Sequence, residues 1–332
     1  MCVVLSFGSS RPDTVLVAIM HGAFGSWFGL SETLLRTVPI LLCALAAAIP
    51  AEAGQINIGG EGQFLLGAIG ATLASSLAFN FSDGLTRGAM VLAALAFGAF
   101  WSAIPGLLRA KVGVNEALVT LFLNYVAFQI LQFVVHGPLR DPNSMGWPMS
   151  RALPPGLQVS GIGGTRLHTG LLVAVICALL SVILIRYTRF GIELRSVGMS
   201  PTAAVNVGIA VRLYLLASMV VGGALAGLAG YYEIAAVQHR LRTDISLGFG
   251  YSGFLVAWMC KGRLWFLFPM SLLVAGLISS SEVLQISTGL PAATADVLEG
   301  LLLLFVLVGG STLVRMSRHK AERQAMEAAS GI

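Results

Sequence analysis

Eight stretches of this chain contain no Asp, Glu, Lys or Arg: 64–82, 88–108, 117–139, 167–185, 213–232, 245–260, 264–281 and 300–314. A helix needs roughly 17–25 apolar residues to cross a bilayer, so each run is a crossing or a large part of one. Thr37–Ala51 adds a shorter run that its two prolines, Pro39 and Pro50, are expected to break. Only 11% of the 332 residues are charged, against about 25% in a soluble domain. Such a chain cannot cover a water-facing surface. A membrane β-barrel is excluded too, since its strands would alternate over ~10 residues instead of running apolar. The expected fold class is all-α: a polytopic helical membrane protein with about 8–10 transmembrane helices, several short or broken.

The net charge of +5 says more by position than by total. Four basic clusters flank the runs: Arg109 and Lys111; Arg186, Arg189, Arg195 and Arg212; Lys261 and Arg263; Arg315, Arg318, Lys320 and Arg323. Placing all four in the cytoplasm satisfies both the alternation of the runs and the positive-inside rule. Loops near 80–87, 137–166, 236–244 and 286–294 then face outward, although Arg240 and Arg242 fit that side poorly. Scattered arginines beside apolar runs are topology signals, not a nucleic-acid footprint. Cys2, Cys43, Cys177 and Cys260 show no paired spacing, and three lie in apolar runs; they read as buried thiols. Thr14–Leu30 is long enough to cross, yet its glycines and His21 suit an interfacial helix equally well.

No polar linker divides the chain, so one membrane domain is expected over 1–314, followed by a basic cytoplasmic tail, 315–332. The outward loop 137–166 is rich in Pro, Gly and Ser. The cytoplasmic loop 186–212 is basic and carries a short helix that starts at Ser200-Pro201, with Ser as cap and Pro in the first turn, and stops at Gly208.

Polar groups inside the runs need a partner or a water-filled path. Glu61 stands among Gly59, Gly60 and Gly62, with Asn57 and Gln63 beside it. A helix that breaks here would expose its backbone toward a cavity, as in transporter sites; alternatively, the carboxylate and amides simply bond a neighbouring helix. Asn115 suits a helix cap with Glu116 in the first turn, and Asn124 and Tyr125 lie deeper. Glu282 and Gln285, like Asp296 and Glu299, are spaced i, i+3, and each pair is expected to look into the bundle. Gly223 and Gly227 form a small-residue seam for close helix packing. The chain's lysines, Lys111, Lys261 and Lys320, sit in no phosphate-binding glycine loop, and its histidines form no metalloprotease motif. The stretch Gly250–Gly253 echoes a serine-protease motif, but no histidine follows within the membrane to activate a serine.

Several stretches together resemble the permease subunits of bacterial ABC importers for simple sugars, nucleosides and branched-chain amino acids, the nucleoside branch most. They are "AGQINIGGEGQFLLGA", "VNEALVTLFLNYVA" with "GPLRDP", "TRFGIELRSVGMSPTAAVNVGI", "GALAGLAGYYEI", "GFGYSGFLVAW" and "TGLPAATADVLEGLLLLFVLV", in that order. The resemblance covers roughly residues 20–314. It implies a subunit of the bacterial cytoplasmic membrane that forms the path and has no enzymatic activity or cofactor of its own, ATP and Mg residing on separate ATPase subunits. It also implies a second, different permease subunit and an extracytoplasmic binding protein or lipoprotein. Gly191, Arg195, Gly198, Pro201, Ala203 and Ala204 fall in the ATPase-coupling loop of that pattern. Asn57, Glu61 and Gln63 fall near its translocation path, to which the residue reading adds Asn124, Glu282 and Gln285. The pattern also carries a full hydrophobic helix ahead of Pro12–Ser26, where this sequence has only Met1–Gly8. Two rival readings stay open: a sugar or amino-acid ABC permease, and an ion-driven secondary transporter using Glu61, Glu282 or Asp296.

Overall fold

The computed structural model describes residues 12–78, 81–161, 166–260, 262–288, 294 and 297–301. In chain order the helices are α1 (Pro12–Phe24), α2 (Trp27–Glu52), α3 (Gly60–Leu77), α4 (Asp83–Val112), α5 (Glu116–His136) and α6 (Gly170–Tyr187). They continue as α7 (Arg189–Met199), α8 (Pro201–Asn206), α9 (Val211–Tyr232), α10 (Phe249–Cys260), α11 (Leu267–Ser279) and α12 (Ser281–Thr288). A π-helical turn, Glu233–Gln238, prolongs α9. Among the described residues five helices are long and apolar enough to cross a membrane, and shorter apolar helices accompany them. The runs at 300–314 and the tail 315–332 lie almost wholly outside the described residues, as do Met1–Gly8, Lys261 and Asp296.

α2 is the axis of the bundle. Its most apolar window is 83% buried inside the protein, against 28–33% for α4, α5 and α6, which therefore present their other faces to lipid. α9, α10, α11 and α6 pack around α2, and α9 also packs along α4 and α3. The expected break of the 37–51 run at its prolines does not occur: Pro39 and Pro50 both lie inside the continuous α2. A proline removes the N–H that would bond the carbonyl four residues earlier. At Pro50 that carbonyl belongs to Ala46, and the Asn57 side chain bonds it instead, Nδ2 to O 2.9 Å. Buried backbone groups freed by proline are tolerated when a neighbour satisfies them.

Lipid offers no hydrophobic drive between helices, so close backbone approach has to hold them. The glycine seam of α9 does so. A Cβ on Gly227 would sit 2.2 Å from the Ala94 carbonyl oxygen, and one on Gly98 would sit 2.2 Å from that of Gly223. α9, α4 and α3 meet at this point, with Gly67 of α3 against Gly227 as well.

Among the described residues, members of the first two basic clusters gather at one end. Arg186 and Arg195 lie near Glu52, Arg109 pairs with Glu116 at 3.3 Å, and Ser218 of α9 bonds Gln55 just beyond α2. The loop 137–161 occupies the opposite end, tied to the segment after the π turn by Ser150 N–H to Leu241 O (2.9 Å) and Leu153 N–H to His239 O (2.7 Å). Arg240 and Arg242 thus sit with that loop, away from the basic end.

At the edge of the bundle, α12 packs on α1 through Leu284 against Val15 and Ala18. That orientation corrects the expectation for Gln285: one residue beyond a buried Leu284, it is exposed instead of facing the bundle. The Glu282 side chain is outside the described residues; Glu299 is buried.

A broken-helix junction and a cytoplasmic hairpin

Two helices start within the bundle instead of at its ends. α10 has 12 residues, a rise of about 18 Å, which is too short to cross a ~30 Å hydrocarbon core. It is preceded by an irregular segment in which Gly248 takes a φ of +82°. α3 is preceded by the non-helical segment Ala53–Gly59, which turns back from the basic end of α2 at Gly54, where φ is +74°. The two N-termini meet at Gly60 and Gly250: a Cβ on Gly250 would lie 2.1 Å from the Glu61 nitrogen. Gly250 N–H donates to Glu61 Oε2 at 2.8 Å, and Ser246 also hydrogen-bonds this carboxylate. Glu61 therefore stands in the first turn of its own helix and caps another, where both helix dipoles favour negative charge.

The first N–H groups of this segment bond the end of α2, and α5 supplies partners for Ile56 and Ile58. Ile56 N–H donates to Glu116 Oε1 (3.1 Å), and Ile58 N–H to Thr120 Oγ1 (3.2 Å). Asn124 Nδ2 donates to Ile58 O (2.9 Å), while its Oδ1 accepts from Gly62 N–H (2.9 Å). Positions 116, 120 and 124 share one helix face. Asn115 does cap α5, its Oδ1 accepting from Ala117 N–H at 3.0 Å, while Glu116 has the further task of holding the segment. Sequence reasoning missed Thr120; the i, i+4, i+8 spacing of polar residues was the signal available.

Asn57 and Gln63 exchange amide hydrogen bonds at 3.2 and 3.0 Å. With the Ala46 carbonyl and the Gly59 N–H also bonded, Asn57 uses two donors and both acceptor positions, its full capacity. Asn57, Gln63 and Asn124 are buried. Within this subunit they hold the junction together. Glu61 is only half-buried, and Tyr251 beside it is exposed. Glu61 and Tyr251 are the junction's polar groups that reach the subunit's surface.

The loop at the basic end holds more than the expected short helix. α8 starts where the sequence placed it, with Ala203 N–H bonded to Ser200 Oγ (3.3 Å) and Pro201 in the first turn; Gly208 ends it at a φ of +83°. α7 precedes it, capped by Thr188, whose Oγ1 accepts from Gly191 N–H (3.4 Å). The hairpin is anchored from below. Gly191 lies against Ile185 and Gly198 against Glu52, where a Cβ would come within 2.1 and 2.3 Å of a carbonyl oxygen. Tyr214 of α9 donates to Glu193, and Leu194, Val197 and Ala204 are buried. Arg195 bonds its own helix at Gly191 O, 3.3 Å. Met199, Pro201, Ala203, Val205 and Val207 are exposed, and so are Thr202 and Asn206 between them, so the tip of the hairpin presents mixed apolar and polar side chains at a basic end.

Residues 29–307 match the family described as branched-chain amino acid transport system / permease component. This chain is a member of that permease family. The permease is 34% identical to the glucose ABC transporter permease protein TsgB13 of Haloferax volcanii, over 85% of this chain and 77% of that one. It is 30% identical to the guanosine ABC transporter permease protein NupP of Bacillus subtilis, over 87% of this chain and 84% of that one. With the nucleoside ABC transporter permease protein NupB of Lactococcus lactis it shares 32% identity, over 89% and 80%. The permease is accordingly a multi-pass membrane protein of the ABC transport class.

Proposed function

We propose that this permease is the membrane subunit of an ABC importer for nucleosides or closely related neutral sugars, working in the cytoplasmic membrane of a bacterium with its basic end in the cytoplasm. Separate ATPase subunits supply ATP and Mg and dock on the α7–α8 hairpin. The observation that carries this reading is the form of that hairpin: anchored below on α2, α6 and α9 and exposed above, with large apolar side chains at Met199, Val205 and Val207, at the basic end that the positive-inside rule assigns to the cytoplasm. Exposed apolar patches with a polar rim fit a protein partner. Its fixed footing on α2, α6 and α9 suits a lever that passes a partner's motion into the bundle. The chain contains no glycine loop of the phosphate-binding type, so the energy would enter from outside it.

A second permease subunit would cover the face that carries Glu61 and Tyr251, which suits lipid poorly. The path then runs between the subunits, past a carboxylate and a phenol suited to hydroxyls and base edges. The cargo follows from the sugar and nucleoside relatives, and an extracytoplasmic binding protein would present it.

The test is purification in mild detergent from native membranes, with ATP-dependent uptake measured in proteoliposomes. Co-purification of an ATPase and a second permease, with uptake of guanosine or glucose that requires ATP, is the expected result. Uptake that persists without any ATPase and follows an ion gradient would refute it.

A further inference from the structure

A cavity of about 420 Å³ opens at the end of the bundle opposite the basic clusters, between α1, α2, the π turn and the start of α10. None of Asn57, Glu61, Gln63, Asn124 or Gln285 is among the described residues that line it, although Leu247 and Phe249, which do line it, neighbour the Ser246 and Gly250 that bond Glu61. Arg36 and Glu233 line it too. Arg36 lies roughly 24 Å along α2 from Glu52, at ~1.5 Å per residue. Its side chain is only 17% exposed, and its ion pair with Glu32 is long, 3.6 Å from Nε to Oε1. Nε is buried without a hydrogen-bond partner among the described residues. Glu233 is 4% exposed, and its one hydrogen-bond donor among the described residues is Gln238 Nε2, at 3.2 Å. Glu32 is already engaged by Arg166 at 3.2 Å.

The contrast with the junction matters. There the Asn57, Gln63 and Asn124 amides are paired; here a guanidinium with five N–H donors and a carboxylate with about four acceptor sites are both under-used. Leaving charged groups under-bonded in a membrane protein is costly. A small anion would satisfy Arg36 and be repelled by Glu233, and a cation the reverse. A neutral molecule bearing several hydroxyl or amide groups serves both, because each such group donates and accepts. Phe28 and Phe249 add flat apolar walls, suited to a base or to the carbon face of a sugar ring.

We propose that this cavity is an outward-facing binding site for a neutral, hydroxyl-rich solute of nucleoside or hexose size, with Arg36 donating and Glu233 accepting. The inference rests on the proposed function for the identity of that solute, and gives the cargo a site within this subunit before it reaches the Glu61 junction.

The experiment uses the complete transporter in proteoliposomes, with guanosine and glucose as probes. Val237, which lines the cavity, is replaced by cysteine and labelled from outside with a membrane-impermeant maleimide, the unsubstituted protein serving as background. The expected result is protection from labelling by whichever probe is transported. Glu233→Gln keeps the shape and removes the charge; it should raise the KM for uptake about tenfold or more with Vmax kept. Arg36→Lys should act in the same direction. Uptake without protection, and with KM unchanged in both variants, would overturn the site and leave the transport reading standing. Protection without uptake would keep the site and remove the transport reading. Neither uptake of nor protection by either probe overturns both.

Discussion

Replacing Asn57 with leucine should destabilise the protein in a way that depends on a proline seven residues earlier. The substitution leaves three groups short of partners: the Ala46 carbonyl, the Gly59 N–H and the Gln63 amide. A buried polar group left unpaired costs ~1–3 kcal/mol in soluble proteins, and a hydrogen bond between membrane helices averages only ~0.6 kcal/mol. A loss of roughly 2–5 kcal/mol lies between those bounds. The Ala46 share exists only because residue 50 has no N–H. In a Pro50→Ala background the helix itself can satisfy that carbonyl, so Asn57→Leu should cost about 1 kcal/mol less there. The assay is a double-mutant cycle, with unfolding followed by SDS titration in mixed micelles. Additivity to within ~0.3 kcal/mol would refute the idea that Asn57 repairs the helix at Pro50.

Other outcomes follow from the same contacts. Gly227→Leu drives a side chain into the Ala94 backbone and should abolish accumulation of folded protein, measured by fluorescence-detected size exclusion, whereas Gly88→Leu, with open space around it, should not. Met199→Asp together with Val205→Asp should remove the ATPase on purification while leaving the melting temperature within a few degrees, the side chains being exposed. Glu61→Ala should reduce uptake about tenfold or more with assembly intact; unchanged uptake would make Glu61 a clamp for α10 alone. His168, on the loop ahead of α6, accepts from Gly170 N–H at 3.0 Å and stacks on Tyr232. Burial pushes its pKa down from 6.5 to about 4. The unfolded chain therefore takes up a proton that the folded protein refuses, and stability should fall by up to about 3 kcal/mol as pH drops from 6.5 towards 4. His168→Asn should flatten that dependence in thermal melts.

The long crossings were legible because charge-free length is a local property, and so were the Asn115 and Ser200 caps and the Gly223–Gly227 seam. What the sequence hid depends on partners far along the chain. Prolines 39 and 50 read as breaks, since nothing nearby announces that Asn57 returns to serve the Ala46 carbonyl. The run 245–260 read as a crossing, yet its first residues are irregular and its helix starts only at Phe249. α7 went unseen because its buried residues, Gly191, Leu194 and Val197, are few and spaced among charges. At the junction the sequence pointed to the right residues and left their tasks open. Which of them reach the surface depends on how α3, α5 and α10 meet, and that geometry has no short-range signature.

The pairing of α5 with the segment ahead of α3 works like a vernier. Four helical residues advance ~6.0 Å, and two extended residues advance ~6.6 Å. Side chains at every fourth position of one can therefore meet alternate N–H groups of the other, drifting ~0.6 Å at each rung. Two rungs follow this pattern, Glu116 on Ile56 N–H and Thr120 on Ile58 N–H, and by Asn124 it has changed to the Ile58 carbonyl and the Gly62 N–H. The device fixes both the length and the phase of the segment. A one-residue insertion between Gln55 and Gly59 would turn the odd N–H groups toward α5 and carry Glu61 away from Gly250, whereas two inserted residues would keep the phase and lose only the reach.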